Sequence, residues 1–175
     1  MRRSRLFTAA ALAIAVAACG RSETSRQAED AQTAASGQTG APGAAAPAAP
    51  ASDADRQKLL AALPAPYDAA DLANGEAKFA LCRSCHTIKP GGANMTGPNL
   101  HGVFGREAGQ VEGFRYSDVL LKSGIVWDPS HLDEWLANPR TYLPGTKMSF
   151  AGLKDAKDRA DLIAYLMVET GYAPK

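Results

Sequence analysis

The five residues Cys82-Arg83-Ser84-Cys85-His86 constrain this chain more than any other stretch. Two thiols at this spacing, followed at once by an imidazole, match the attachment signature of a covalent haem. Each thiol can add across one of the two vinyl groups of a single haem, and the histidine then lies beneath the iron as an axial ligand. A C-x-x-C is also compatible with half a zinc site or with a redox dithiol. Zinc would need two more ligands, yet the sequence holds no second C-x-x-C, and Cys19 lies in the leader. The other histidines, His101 and His131, form no ligand-like pair. A thioredoxin-like dithiol calls for a βαβ pattern, and no strand signal flanks these cysteines.

A sixth position on the iron needs a second ligand. Met148 stands in Tyr142-Leu143-Pro144-Gly145-Thr146-Lys147-Met148-Ser149-Phe150. Pro and Gly make this a loop, and His/Met ligation raises the reduction potential of haem iron. Core filler is the commoner use of a methionine. Met95, in a Gly-rich turn close to the haem motif, is the rival ligand, and Met167 reads as a face residue of the last helix.

Residues from about Asp71 to Gly171 resemble the class I cytochromes c, in the mitochondrial-type branch that includes bacterial electron carriers. The resemblance rests on blocks in order. After Cys82 to His86 come Thr96-Gly97-Pro98-Asn99-Leu100-His101-Gly102-Val103-Phe104-Gly105-Arg106 and Gly113-Phe114-Arg115-Tyr116-Ser117. Gly124-Ile125-Val126-Trp127, Asn138-Pro139, the Pro144 to Phe150 loop and Arg159 to Leu166 complete the set. It implies an all-α fold of about four helices around one haem c, with iron held by His86 and Met148. It also implies that the Pro98 carbonyl accepts the Nδ1 proton of His86, fixing the ring. Arg106, Tyr116 and Trp127 match residues that pair with a buried haem propionate, and Thr146 is carried over as a further cofactor-binding residue. For an isolated Trp or Tyr, core packing would be the default. His101 reads as structural. Two positions depart from the pattern. Trp135 stands where a Tyr is common and Leu120 where an Asn is common, so two polar partners are missing from the methionine side. An altered potential with the iron–Met148 bond retained is the expectation.

The first residues read as an address rather than fold. Arg2, Arg3 and Arg5 give a positive start, and the apolar run Leu6 to Ala18 is 13 residues, short of a membrane span. Val16-Ala17-Ala18-Cys19 resembles a bacterial lipobox, with Cys19 as the lipidated N-terminus of the mature chain. An ordinary cleaved signal is the alternative, and Arg2-Arg3 is a weak match to a twin-arginine signal. Gly20 to about Pro66 reads as an Ala/Pro-rich disordered linker, spanning roughly 35–40 Å as a coil. A short helix from Asp55 to Leu63 would be marginal there, having no core to dock on. The expected organisation is thus a signal over 1–18, lipidated Cys19 with linker over 19–66, and a haem domain over 67–175.

Within that domain, Asp71 caps a helix running to about Cys82, and a second covers Ser117 to Lys122. Asp128-Pro129 opens a third that ends before Pro139, and a fourth runs from Lys157 to Thr170 with Leu162, Ile163 and Leu166 on one face. Thr87 to Arg115 is a long Gly-rich loop, of the kind that wraps a ligand. The family pattern crosses the first and last helices, with Gly75 allowing close approach and Phe79 and Tyr165 filling the crossing.

From Tyr67 to Lys175 the chain carries 12 Lys and Arg against 13 Asp and Glu. That balance supports no nucleic-acid binding and gives a weak steering field. Leu81, Met95 and Asp155 stand near positions often lysine in this branch, while Arg140, Lys147 and Lys154 remain near the expected haem edge. The resemblance implies a monomeric electron carrier rather than an enzyme. It would sit on the periplasmic side of a bacterial membrane, between a quinol-oxidising cytochrome complex and a terminal oxidase or reaction centre. A haem peroxidase or gas sensor with a labile Met148 is one alternative, and the electron-entry subunit of a periplasmic dehydrogenase is another.

Overall fold

The computed structural model describes residues 52–173. The leader, Cys19 and the linker up to residue 51 lie outside the described residues. Six helices follow in order: α1 (Asp53–Ala61), α2 (Leu72–Phe79), α3 (Asp118–Leu121), α4 (Pro129–Ala137), α5 (Pro139–Tyr142) and α6 (Ala156–Thr170). A 3-10 turn over Tyr67–Ala69 joins α1 to α2. Among the described residues there is no strand, and the extended pairing is a single bridge between Glu107 and Val126. The all-α expectation holds.

Local chemistry sets the helix ends. The Asp71 carboxylate accepts the amide protons of Ala73 and Asn74, and Asp155 accepts that of Asp158. Asp128 accepts from the His131 amide, with Pro129 in the first turn, where its missing N–H costs nothing. Gly171, at φ 81°, closes α6 in the left-handed conformation. Three departures from the sequence reading stand out. Pro139, read as a stop, also starts α5, because Asn138 caps it by accepting the Thr141 amide. On α6, residues 161–168 are buried in an unbroken run rather than on one face, because α1, α2 and α4 surround it.

The third departure is α1. It is no undocked segment in a linker. Leu60 and Leu63 are buried against the domain. Arg56 lies over the Tyr165 ring, 5.7 Å from its centroid, and its Nε is 2.8 Å from Glu169 on α6. A second nitrogen is 3.5 Å from Glu76 on α2. The folded region therefore includes residues from Ser52 that composition assigns to the tether. Nine residues are too few to hold a helix alone, so α1 owes its helicity to this docking.

The crossing of α2 and α6 is the centre of the fold. Gly75 has helical backbone, and what it supplies is space. A Cβ there would overlap the Asp161 carbonyl oxygen and stand 2.7 Å from Tyr165 Cβ. Phe79 and Tyr165 pack beside it with ring centroids 5.6 Å apart. Asp161, 2% exposed, is a buried charge with three donors around it. It accepts from the Asp71 amide at 3.0 Å, from Asn74 at 2.7 Å and from Lys157 at 2.6 Å. Burial pushes its pKa up, but these bonds outweigh burial and hold it below the usual carboxylate value. A depressed folded pKa gives stability that is present above the unfolded pKa of about 3.9 and lost as pH falls through the folded value. Asp161→Asn is therefore expected to lower stability at pH 7 by about 1.5–3 kcal/mol. It should also flatten the loss of stability below about pH 4. Urea unfolding at pH 7 and pH 3 checks this, and parallel pH profiles for both proteins would contradict it.

Candidate haem site

Helix α2 hands the chain directly to the thiols. Cys82 N–H donates to the Phe79 carbonyl at 2.8 Å, and the amides of Cys85 and His86 both donate to the Cys82 carbonyl, at 2.9 and 3.0 Å. This tight turn brings Cys82, Cys85 and His86 to the wall of one cavity. Both cysteines are free thiols. Burial, with Cys85 adding, pushes the Cys82 thiol up to about 11, so it stays protonated at neutral pH.

The His86 ring is held from one side. Nδ1 lies 2.7 Å from the Pro98 carbonyl oxygen, which leaves Nε2 with a lone pair for an electrophile. Burial lowers the pKa of His86 despite the opposing pull of Pro98, so the ring is neutral at pH 7. The Thr87–Arg115 loop that supplies Pro98 is densely tied. Asn99 donates to Thr87 Oγ1 at 2.6 Å and to the Lys89 carbonyl at 3.0 Å, and accepts from the His101 amide at 2.8 Å.

Met148 lines the same cavity. Its amide donates to Thr146 Oγ1 at 3.2 Å, and the Lys147 ammonium donates to the Tyr116 carbonyl at 2.9 Å, which fastens the loop. Met95 is 48% exposed and is absent from the wall of this cavity. Met167 is buried in α6, as read. Arg106, Tyr116, Trp127 and Thr146 all line the cavity. Arg106 donates to the carbonyls of His101 at 2.9 Å and Asn99 at 3.3 Å. Burial pulls its pKa down, with Tyr116 opposing, and among the described residues it has no carboxylate partner within salt-bridge distance. His101 stays off the wall; its carbonyl accepts from Arg106 and its amide donates to Asn99.

The two departures also face the cavity. Leu120 and Trp135 line it. Trp135 packs edge-on against Trp127 and Tyr142, with centroids 5.4 and 6.1 Å apart. Of the three cations expected near the haem edge, only Lys147 lines the cavity. Lys154 is turned back to the Ala137 carbonyl at 2.8 Å, and Arg140 is elsewhere. Arg115 takes a place there that the sequence reading did not assign. Nor did that reading find the apolar wall of Val103, Leu132 and Leu136. Their spacing signals burial, but burial against protein and against a cofactor look alike in sequence.

A thiol pair, a neutral imidazole and a thioether around one apolar cavity, inside an all-helical shell, define a c-type haem protein. The donor set fits that group. Free cysteines match two vinyls, and the unpaired, half-buried Arg106 matches an acidic substituent. A family model described as cytochrome c matches residues 72–168. The chain is 44% identical over 106 residues to cytochrome c of Kluyveromyces lactis, covering 60% of this chain and 96% of that protein. It is 49% identical over 108 residues to cytochrome c2 of Blastochloris viridis, covering 62% and 85%. Cytochrome c of Gibberella zeae is 54% identical over 89 residues, covering 51% and 84%. The chain belongs to the cytochrome c family, whose members carry covalent haem c with its iron and act as electron carriers.

Proposed function

We propose that the protein is a mono-haem carrier of single electrons in a bacterial respiratory or photosynthetic chain. It takes electrons from a quinol-oxidising cytochrome complex and delivers them to a terminal oxidase or reaction centre. Cys82 and Cys85 hold the haem, His86 and Met148 ligate the iron, and Arg106, Tyr116, Trp127 and Thr146 receive the propionates. The observation that carries this reading is that His86 and Met148, the two ligand-type side chains, share one apolar cavity with both thiols.

When bound, the haem supplies an iron that stores and releases one electron. The residues around it decide how readily it does so. Pro98 holds the His86 ring in one tautomer and raises its basicity. Leu120, Leu132, Trp135 and Leu136 exclude water, which keeps the local dielectric low. Arg106 pairs a charge that would otherwise be buried alone. Two strong ligands leave no position for a substrate, which supports a carrier rather than an enzyme. The lipobox residues support attachment through Cys19 to the periplasmic face of a membrane, and several acyl chains would make it stable. Among the described residues no helix is long and apolar enough to cross a membrane.

The test is the visible spectrum of the purified protein, oxidised and reduced, with a haemochrome assay. A c-type spectrum with the weak far-red iron(III)–methionine band is expected. Met148→Ala should abolish that band and lower the midpoint potential by a few tenths of a volt, inside the span of about 0.8 V that axial ligands control. A band and potential unchanged in the variant would remove Met148 from the iron.

A further inference from the structure

Gly97 is a glycine that backbone conformation does not explain. Nine glycines in the described residues have positive φ, which side chains resist, and Gly97 is not one of them. Alanine would be at ease with its backbone. What forbids a side chain is a neighbour. A Cβ on Gly97 would stand 2.7 Å from both Nδ1 and Nε2 of His86, and closer still to Cε1. The backbone of Gly97 therefore lies flat against the imidazole.

That surface cannot retreat easily. Gly97 N–H donates to the Cys85 carbonyl at 2.8 Å, and the Gly97 carbonyl accepts from the Met95 amide at 2.8 Å. The next residue, Pro98, holds Nδ1 at 2.7 Å. One residue on, the Asn99 amide is anchored to Asn94 Oδ1 at 2.9 Å. The ring is thus fixed twice by one stiff segment: Pro98 sets the tautomer, and Gly97 sets the plane.

We propose that Gly97 is a positioning residue for electron transfer, fixing the rotation of the His86 plane about its bond to the iron. This inference rests on His86 being the axial ligand. Ring rotation alters overlap between the imidazole and the iron orbitals, so it reads out in the low-spin EPR g values of the oxidised protein. A methyl at residue 97 must turn the ring or push the loop away. Either movement lengthens the bond to Pro98, lowers imidazole basicity and favours the reduced state.

The experiment compares the full-length holoprotein with Gly97→Ala by EPR, potentiometry and visible spectroscopy. The expected result is a c-type spectrum retained, a changed spread of g values and a raised potential. A variant that is less stable but has unchanged g values and potential would overturn the proposal, leaving Gly97 a packing residue. A wild-type spectrum without low-spin histidine ligation would instead overturn the ligand assignment, and the two failures are distinguishable. If Gly97→Ala does not retain haem, Asn94→Ala serves, because it frees the Asn99 amide and loosens the same segment. Broadened g features are then expected, and unchanged ones would overturn the proposal.

Discussion

Cys82→Ala/Cys85→Ala is expected to abolish covalent haem and cooperative unfolding together. The cavity that the thiols border has a volume of about 220 Å³. At about 24 cal/mol per Å³, leaving it empty costs on the order of 5 kcal/mol. A domain of this size has about 5–15 kcal/mol in total. The cost is concentrated, because Val103, Leu120, Leu132, Leu136 and Leu166 come from three helices and the long loop and meet at that space. Without the disc they have little to pack on. Haem staining of a denaturing gel reports the covalent bond, and near-ultraviolet dichroism on heating reports the packing. A haem-free variant that still melts in one sharp transition would show that the helical shell is a sufficient core.

Gly75→Val should be the most damaging single change away from the haem. Its Cβ falls on the Asp161 carbonyl oxygen and beside Tyr165 Cβ, and both are backbone or backbone-proximal atoms that cannot swing aside. Overpacking of this kind costs about 1–3 kcal/mol or more. Even Gly75→Ala should lose stability, although alanine recovers up to about 1 kcal/mol of helix propensity. The loss for Val should exceed about 3 kcal/mol, since its two methyls meet the same wall and it also prises Asp161 from its three donors. Urea unfolding gives the values. A neutral Ala variant would mean that α2 can slide along α6, and that the crossing does not fix the turn leading to Cys82.

Much of the domain was legible in the sequence because its signals are local. Asp71 and Asp128 each announce a helix start within three residues, and Gly171 announces an end, whereas the cap at Asp155 went unread and the last helix starts at Ala156 rather than Lys157. The thiols, His86 and Met148 stand out in sequence because few residue types can do such chemistry, and the structure brings all four to one cavity. What stayed hidden depends on distant partners. Leu60 and Leu63 look like two apolar residues in a polar, alanine-rich tract until the core of the domain is seen to bury them. Pro139 carries opposite meanings for the helix before it and the helix after it. Gly97 looks like one more loop glycine, since nothing in its neighbours names His86 as the atom set it must clear.

The docking of α1 shifts where this protein can be cut. The family match begins at residue 72, and a fragment started there would lack Arg56, Leu60 and Leu63. Tyr165 would lose the cation above it, and Glu169 its 2.8 Å partner. Anyone preparing the folded domain for crystals or electrochemistry should therefore begin upstream of Ser52.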